Sequence, residues 1–317
     1  MARQVLARLG IFALSLALAS GVIFLITQAL PGDVAAVILG RGATPEQLAA
    51  KRAQLGTDRP FPIQYVDWVT GMLTGDFGRS WLSGLPVRTL IEPRIGVTVS
   101  LVVGGLLLAV LIALPLGAIA ALKRRRWPGF ATSAAAQMGM AVPAFWAGIL
   151  LVFVFSVTLG WLPANGYVPL GRDPLQWASH LVLPVLALGM VQAAVLIRYV
   201  RSAFLEVLAE DYYRTARSIG WTRWRALARH GVRNAALSLV TVLGLQLAAL
   251  IVGAIVIERV FVLPGLGSLL LDMVSQNDLA VVRGVVMLLV LAVLAINALV
   301  DISYVFIDPR LRTREAS

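Results

Sequence analysis

"DYYRTARSIGWTRWRALARHGVRN", residues 211–234, lies between two long apolar runs and carries six arginines, two tryptophans and a mid-segment glycine, Gly220. The chain around it is far more apolar than an average soluble domain: 59% of its 317 residues are hydrophobic, and its mean hydropathy is +0.85. That composition predicts a polytopic membrane protein. The arginine-rich stretch is then a loop between spans, and its side of the membrane orients the whole fold.

A span needs about 20 mostly apolar residues to cross a hydrocarbon core about 30 Å thick. Six runs qualify, at roughly 9–30, 97–122, 131–159, 180–197, 236–257 and 284–307. The fourth is the shortest and contains Pro184. The first is longer than a secretory h-region and is followed by "PGD" rather than a small-residue cleavage site, so it reads as a retained anchor. Segments 1–8, 123–126, 198–233 and 308–317 hold 17 of the 27 Lys and Arg residues, whereas only six of the 16 acidic ones fall on that side even when Asp301 of the last span is counted with it. The positive-inside rule puts those segments, with both termini, in the cytoplasm. The same asymmetry explains the net charge of +11 without nucleic acid, which would want a basic face on a soluble module.

The first external loop, about 31–95, is long enough to fold. In "ATPEQLAAKRAQLG", Thr44 is the expected N-cap, Pro45 stands at N1, Gln47 completes a capping box and Gly56 ends the helix. "FPIQYVDWVTGML" follows as a second amphipathic stretch. Two arrangements fit: a small helical cap on the outer surface, or a loop resting at the membrane interface through Trp68 and Trp81. No internal repeat or low-complexity segment is visible.

Several chemistries are excluded. With no cysteine there is no disulfide and no thiolate metal site. The only lysines, Lys51 and Lys123, do not follow a glycine, so no GxxxxGK[ST] phosphate loop exists. His180 and His230 fall on opposite sides of the membrane, which rules out a two-histidine metal site, an HExxH protease and an intramembrane serine hydrolase. The chain is expected not to be an enzyme and to carry no cofactor or metal of its own.

Within the arginine loop, residues 203–219 are good helix formers with Glu206, Glu210 and Asp211 ahead of the arginines, which suits the helix dipole. Gly220 interrupts. Thr222 then caps a second helix in which Arg225, Arg229 and Arg233 recur at i, i+4 while Trp221, Trp224 and Ala228 take another face. A loop that only met lipid headgroups would not need this order. Two short helices offering Trp and Arg together suit a soluble protein partner.

The stretch "DYYRTARSIGWTRWRALARHGVRNAALS", 211–238, resembles the cytoplasmic signature loop of binding-protein-dependent ABC import permeases, in the form found in dipeptide and oligopeptide permeases. The resemblance extends over nearly the whole chain. Its further marks are "PGD", "GDFGRS", "VPAFWAGILLVFVF", "LGWLPANGY", "LVLPVLALG", "IVIERVFVLPGLGSLLLDMV" and "NALVDISYVFIDPRLR", in that order. It implies a permease subunit forming half of a translocation path, paired with a second homologous permease, two cytoplasmic ATPase subunits that bind the ATP and Mg, and an extracytoplasmic solute-binding protein. Carried over by motif, coupling to the ATPase falls on Asp211, Arg214, Thr215, Ala216 and Gly220. The broader signature has Glu-Ala-Ala where this chain has Arg214, Thr215 and Ala216, a departure usual in the peptide branch, and Leu-Pro where it has Leu237 and Ser238.

"FVLPGLG", 261–267, sets Pro264, Gly265 and Gly267 in an external loop: the resemblance suggests a gate, whereas the residues alone allow a plain turn. Asn297 and Asp301 share one face of the last span, and an ionisable residue there is a functional candidate. Asp301 either pairs with Arg310 or Arg198, or couples a proton in a secondary carrier, although the inverted repeats of such carriers are lacking. Gly139 and Gly148 suit close helix packing.

The expected architecture is all-α: a multi-pass plasma-membrane protein with six transmembrane helices, a cytoplasmic coupling helix and a small extracytoplasmic helical region. Its parts are an N-terminal span, 1–30; the extracytoplasmic loop region, 31–95; a five-helix permease domain, 96–310, holding the coupling loop 198–235; and a tail, 311–317. Peptides are the expected cargo; nickel or another small solute on the same scaffold, an ion-coupled carrier, or a membrane-integral scaffold are the alternatives.

Overall fold

The computed structural model describes residues 2–29, 34–40 and 42–307. "PGD" (31–33), Arg310 and the tail expected at 311–317 lie outside the described residues. In chain order the helices are α1 (Ala2–Ala29), α2 (Val34–Leu39), α3 (Pro45–Leu55), α4 (Phe61–Leu73), α5 (Val87–Leu122), α6 (Trp127–Ala141), α7 (Ala144–Leu151), α8 (Pro174–Ala209), α9 (Asp211–Ser218), α10 (Arg223–Ala226), α11 (Val232–Val260), α12 (Leu266–Ser275) and α13 (Leu279–Ile307). Short π-helical turns, Val152–Thr158 and Leu227–Gly231, follow α7 and α10. No strand occurs among the described residues. Five helices are long and apolar enough to cross a membrane, and six spans result if α6 and α7 with its π-turn count as one.

That bent pair corrects the single straight helix expected at 131–159. The two arms meet at 98°. Pro143 has no N–H to continue the ladder, and it forces Val142 into an extended conformation (φ −87°, ψ 119°). A second correction concerns α8. Expected as the shortest span, 180–197, it is 36 residues long and reaches about 54 Å. Asp173 caps it by accepting from the backbone N–H groups of Leu175 and Gln176, both at 3.0 Å, and Pro184 is carried inside without ending it. Residues 198–209, expected in the coupling loop, are therefore the end of a spanning helix. In the same way α5 starts at Val87, inside the stretch expected to be loop.

The chain separates into two compact units. The first comprises residues 99–263 with the described terminal segments 2–8 and 296–307. At its centre α8 packs on α6, α7 and α11. Its core is built largely from alanines, among them Ala109, Ala113 and Ala121 of α5 and Ala193 and Ala203 of α8, together with Leu196, Val200, Phe204 and Val207. Small residues let helix backbones approach, which drives association where lipid is as apolar as leucine. Gly139 follows that rule: a Cβ there would stand 2.9 Å from the Ala194 methyl. Gly148 likewise makes room for the Phe261 ring. Asp301 is paired with Arg8 of α1 at 2.8 Å, rather than with Arg198, and both side chains are well exposed.

The second unit comprises residues 9–98 and 264–295. Its helix α3 has the full capping box, with Gln47 N–H donating to Thr44 Oγ1 and Thr44 N–H to Gln47 Oε1, and it ends at Gly56 in the left-handed region (φ +69°). Phe24 of α1 is buried against Phe61, Tyr65 and Trp68 of α4. Arg283 of α13 lies over the Phe24 and Trp81 rings and donates to Thr27 Oγ1 (2.7 Å) and Gln28 Oε1 (3.0 Å). Trp68 and Trp81 thus both pack inside this unit. A separate buried cluster joins Val87 and Ile91 of α5, Leu266 and Leu269 of α12, and Val281 and Val285 of α13.

Candidate functional site

The segment after α8 begins with a sharp stop. Glu210 is extended (φ −75°, ψ 149°), so the helix expected over 203–219 is two helices, α8 and α9, meeting there. Two side chains of α9 face inward, Tyr213 (7% exposed) and Ala216 (5%), three residues apart and therefore on one face. They join the core of α5, α8 and α11, next to Phe204, Val207, Ala226 and Leu227. The Tyr213 hydroxyl, which donates to the Arg223 carbonyl at 3.5 Å, is pushed above the usual phenol range by burial, a shift the nearby Arg217 and Arg223 oppose.

The end of α9 is a Schellman motif. Trp221 N–H reaches the Ala216 carbonyl and Gly220 N–H the Arg217 carbonyl, each at 3.2 Å. Gly220 holds φ +93°, a conformation that costs side-chain-bearing residues about 1–2 kcal/mol. Thr222 then caps α10, its Oγ1 accepting from Arg225 N–H at 3.2 Å. Arg225 lies over the Trp221 ring at 4.8 Å, and Arg217 donates to the Trp221 carbonyl. Helix, left-handed glycine and capped helix form one elbow tied at several points.

Of the five residues assigned to coupling, Ala216 is buried and Asp211, Arg214, Thr215 and Gly220 are exposed. Arg214 donates to Asp211 at 3.3 Å and Thr215 Oγ1 to the Asp211 carbonyl at 3.0 Å, so three of them form one local network on the outward face. Beside them stand Trp224, already noted in the sequence, and two residues that reading the sequence passed over, Tyr212 and Ile219 (69% exposed). Exposed aromatic and apolar side chains among arginines are the composition of a protein-binding patch. Tyr213 was missed as well, although its three-residue spacing from Ala216 in a short amphipathic stretch carries the signal.

The second assigned group sits at the start of α12. Gly265 is its N-cap, with Ser268 Oγ accepting from Gly265 N–H at 3.0 Å. The next N–H, of Leu266, donates to Thr98 Oγ1 of α5 at 2.9 Å. Gly265, Leu266 and Gly267 are buried and Pro264 is exposed. This is the anchored mouth of a ten-residue apolar helix, itself too short to cross a bilayer.

Nearby, Asp278 is fully buried and precedes α13. Its carboxylate accepts from Ser80 Oγ at 2.5 Å and from the N–H groups of Trp81 and Leu82 at 3.2 and 3.4 Å. "GDFGRS", 75–80, is thereby explained: Asp76 Oδ1 accepts from Gly78 N–H at 2.9 Å, and the turn delivers Ser80 to Asp278. Among the described residues no cluster of His, Cys, Asp and Glu is arranged to hold a metal ion.

Residues 113–313 match the family described as binding-protein-dependent transport system inner membrane component, and residues 1–102 match the N-terminal part of such membrane components. A protein of Brucella abortus (strain 2308), provisionally named a peptide transport system permease, is 43% identical over 289 residues, 91% of this chain and 92% of its own. The glutathione transport system permease protein GsiC of Salmonella typhimurium (strain LT2) is 42% identical over 290 residues, 92% of each. Among solved structures, a chain of the MetNI methionine ABC transporter in an inward facing conformation shares the fold, with TM-score 0.58 and 19% identity over 69% of this chain and 96% of that one. On these matches, which span both the arginine elbow and the helices it leans on, the chain belongs to the family of inner membrane components of binding-protein-dependent transport systems.

Proposed function

We propose that this chain is the permease subunit of an ATP-driven peptide importer and forms half of the translocation path. The observation that carries the reading is the α9–Gly220–α10 elbow, exposed on one face and buried on the other against the cores of α5, α8 and α11. Work done on that face reaches the spanning helices through Tyr213 and Ala216. Shifting a two-state packing from 1:99 to 99:1 takes about 5.5 kcal/mol of differential interaction, more than a loose basic loop supplies. Nucleotide and magnesium belong, in this reading, to two separate ATPase subunits that dock on Asp211, Arg214, Thr215 and Gly220. A second homologous permease completes the path, and a solute-binding protein delivers cargo from outside, where Pro264, Gly265 and Gly267 gate the entrance. Both termini and the elbow are cytoplasmic in this reading, which the arginine distribution supports. Peptide cargo rests on relatives named for peptide and glutathione transport, glutathione being itself a tripeptide.

The test is mild-detergent purification of the tagged chain with mass spectrometry of what accompanies it. A Walker-motif ATPase and a second permease are expected, and replacing 211–220 with a neutral linker is expected to release the ATPase alone. A chain that purifies without partners and takes up solute in liposomes without ATP would overturn the proposal.

A further inference from the structure

A cleft of about 350 Å³ opens where α5 ends, between the turn 123–126 and the elbow. Six cations line it: Lys123, Arg124, Arg125 and Arg126 from the turn, Arg217 from α9 and Arg223 from α10. The lining contains no acidic residue. Among the described residues none of the six has a carboxylate within the 4.0 Å of an ion pair. The other exposed cations of the elbow are partly accommodated, Arg214 by Asp211 and Arg225 by the Trp221 ring. These six are held around one concavity, where they repel one another unless an anion sits among them.

We infer that this cleft binds the phosphate of an anionic phospholipid headgroup. Guanidinium groups present forked donors that match phosphate oxygens, and a lysine adds a point charge. The depth of the site argues for lipid. The turn directly follows a spanning helix, and the next residues, Trp127 (74% exposed) and Phe130 (62% exposed), stand with ring centroids 5.7 Å apart at the start of α6. Exposed aromatic rings next to the end of a span mark the headgroup level of a bilayer. A basic loop that merely faced the membrane would spread its charges. Here the turn and both arms of the elbow share one cavity, so its occupant bridges them and braces the elbow against the end of α5.

Native mass spectrometry of the full chain in mild detergent tests this, with phosphatidylglycerol, phosphatidylcholine and inorganic phosphate as probes. Phosphatidylglycerol is expected to be retained at least about tenfold better than phosphatidylcholine, since each basic residue near an anionic surface contributes roughly fivefold in affinity. R125Q/R126Q/R217Q should lower that retention by at least about tenfold, and R125K/R126K/R217K should restore it if charge rather than folding is responsible. R198Q/R214Q/R229Q removes the same charge outside the cleft and should leave retention unchanged. Equal losses in the two glutamine triples would mean diffuse attraction and overturn the site, as would equal retention of the two lipids. Binding of inorganic phosphate without phosphatidylglycerol would overturn the lipid source. Exclusion of phosphatidylglycerol once the ATPase subunits are bound would assign the cleft to a protein interface and also overturn it.

Discussion

Gly220 carries the elbow because its φ of +93° closes the Schellman motif, and a Cβ added there meets nothing within 4 Å. The cost of Gly220→Ala is therefore backbone strain alone, about 1–2 kcal/mol, and reduced but measurable uptake of a labelled peptide is expected. Gly220→Pro cannot adopt a positive φ and loses the N–H that reaches Arg217, so uptake should be abolished while the protein still inserts in the membrane. Normal uptake by the proline variant would remove the coupling role. Asp301 belongs to the same scale. Its partner Arg8 was not among those expected, because residues 293 positions apart show no relation in a single sequence. An exposed pair of this kind contributes about 0–1 kcal/mol. Asp301→Asn should leave uptake intact and insensitive to a collapsed proton gradient, whereas a strict gradient requirement in the unmodified protein would favour a proton-coupled carrier.

Among the elements, α3 was legible to the residue because caps are local: Thr44, Gln47 and Gly56 act within one turn of the helix they delimit. The length of α8 was hidden, since Arg198 and Arg201 ended the apolar run while its backbone ladder continued to Ala209. The break between α6 and α7 was hidden the other way, in unbroken apolar sequence whose Pro143 carried a signal overruled by hydropathy. The start of α13 has a testable support. Asp278→Asn replaces a carboxylate that only accepts with an amide that must turn an NH2 toward donors, at a cost of about 1.5–3 kcal/mol. Thermal unfolding in detergent should show a lower midpoint for this variant than for Ser80→Ala, which leaves two backbone donors on the carboxylate. The reverse order would mean that the hydroxyl, not the charge, organises the turn.

On the scale of the whole molecule, the proposed orientation rests on charge: it places the segments that hold 17 of the 27 basic residues on one side, in the cytoplasm. Protease added outside spheroplasts should cut within 31–95, where Lys51, Arg52 and Arg59 are available, and spare 198–233. Cleavage at the arginine elbow would invert the topology and with it the proposed docking side of the ATPase.

The sequence by itself determined what depends on composition and short-range order: an all-helical membrane chain, the capped helix α3, its glycine elbow, and the succession of motifs that marks its family. Tertiary structure alone decided which side chains meet. Tyr213 and Ala216 brace the elbow, Asp278 receives Ser80, Arg8 takes Asp301, and six cations from three segments enclose one cleft. The physical reason is that caps and hydropathy act over a few residues along the chain, whereas packing and charge act through space, across separations that one sequence does not record.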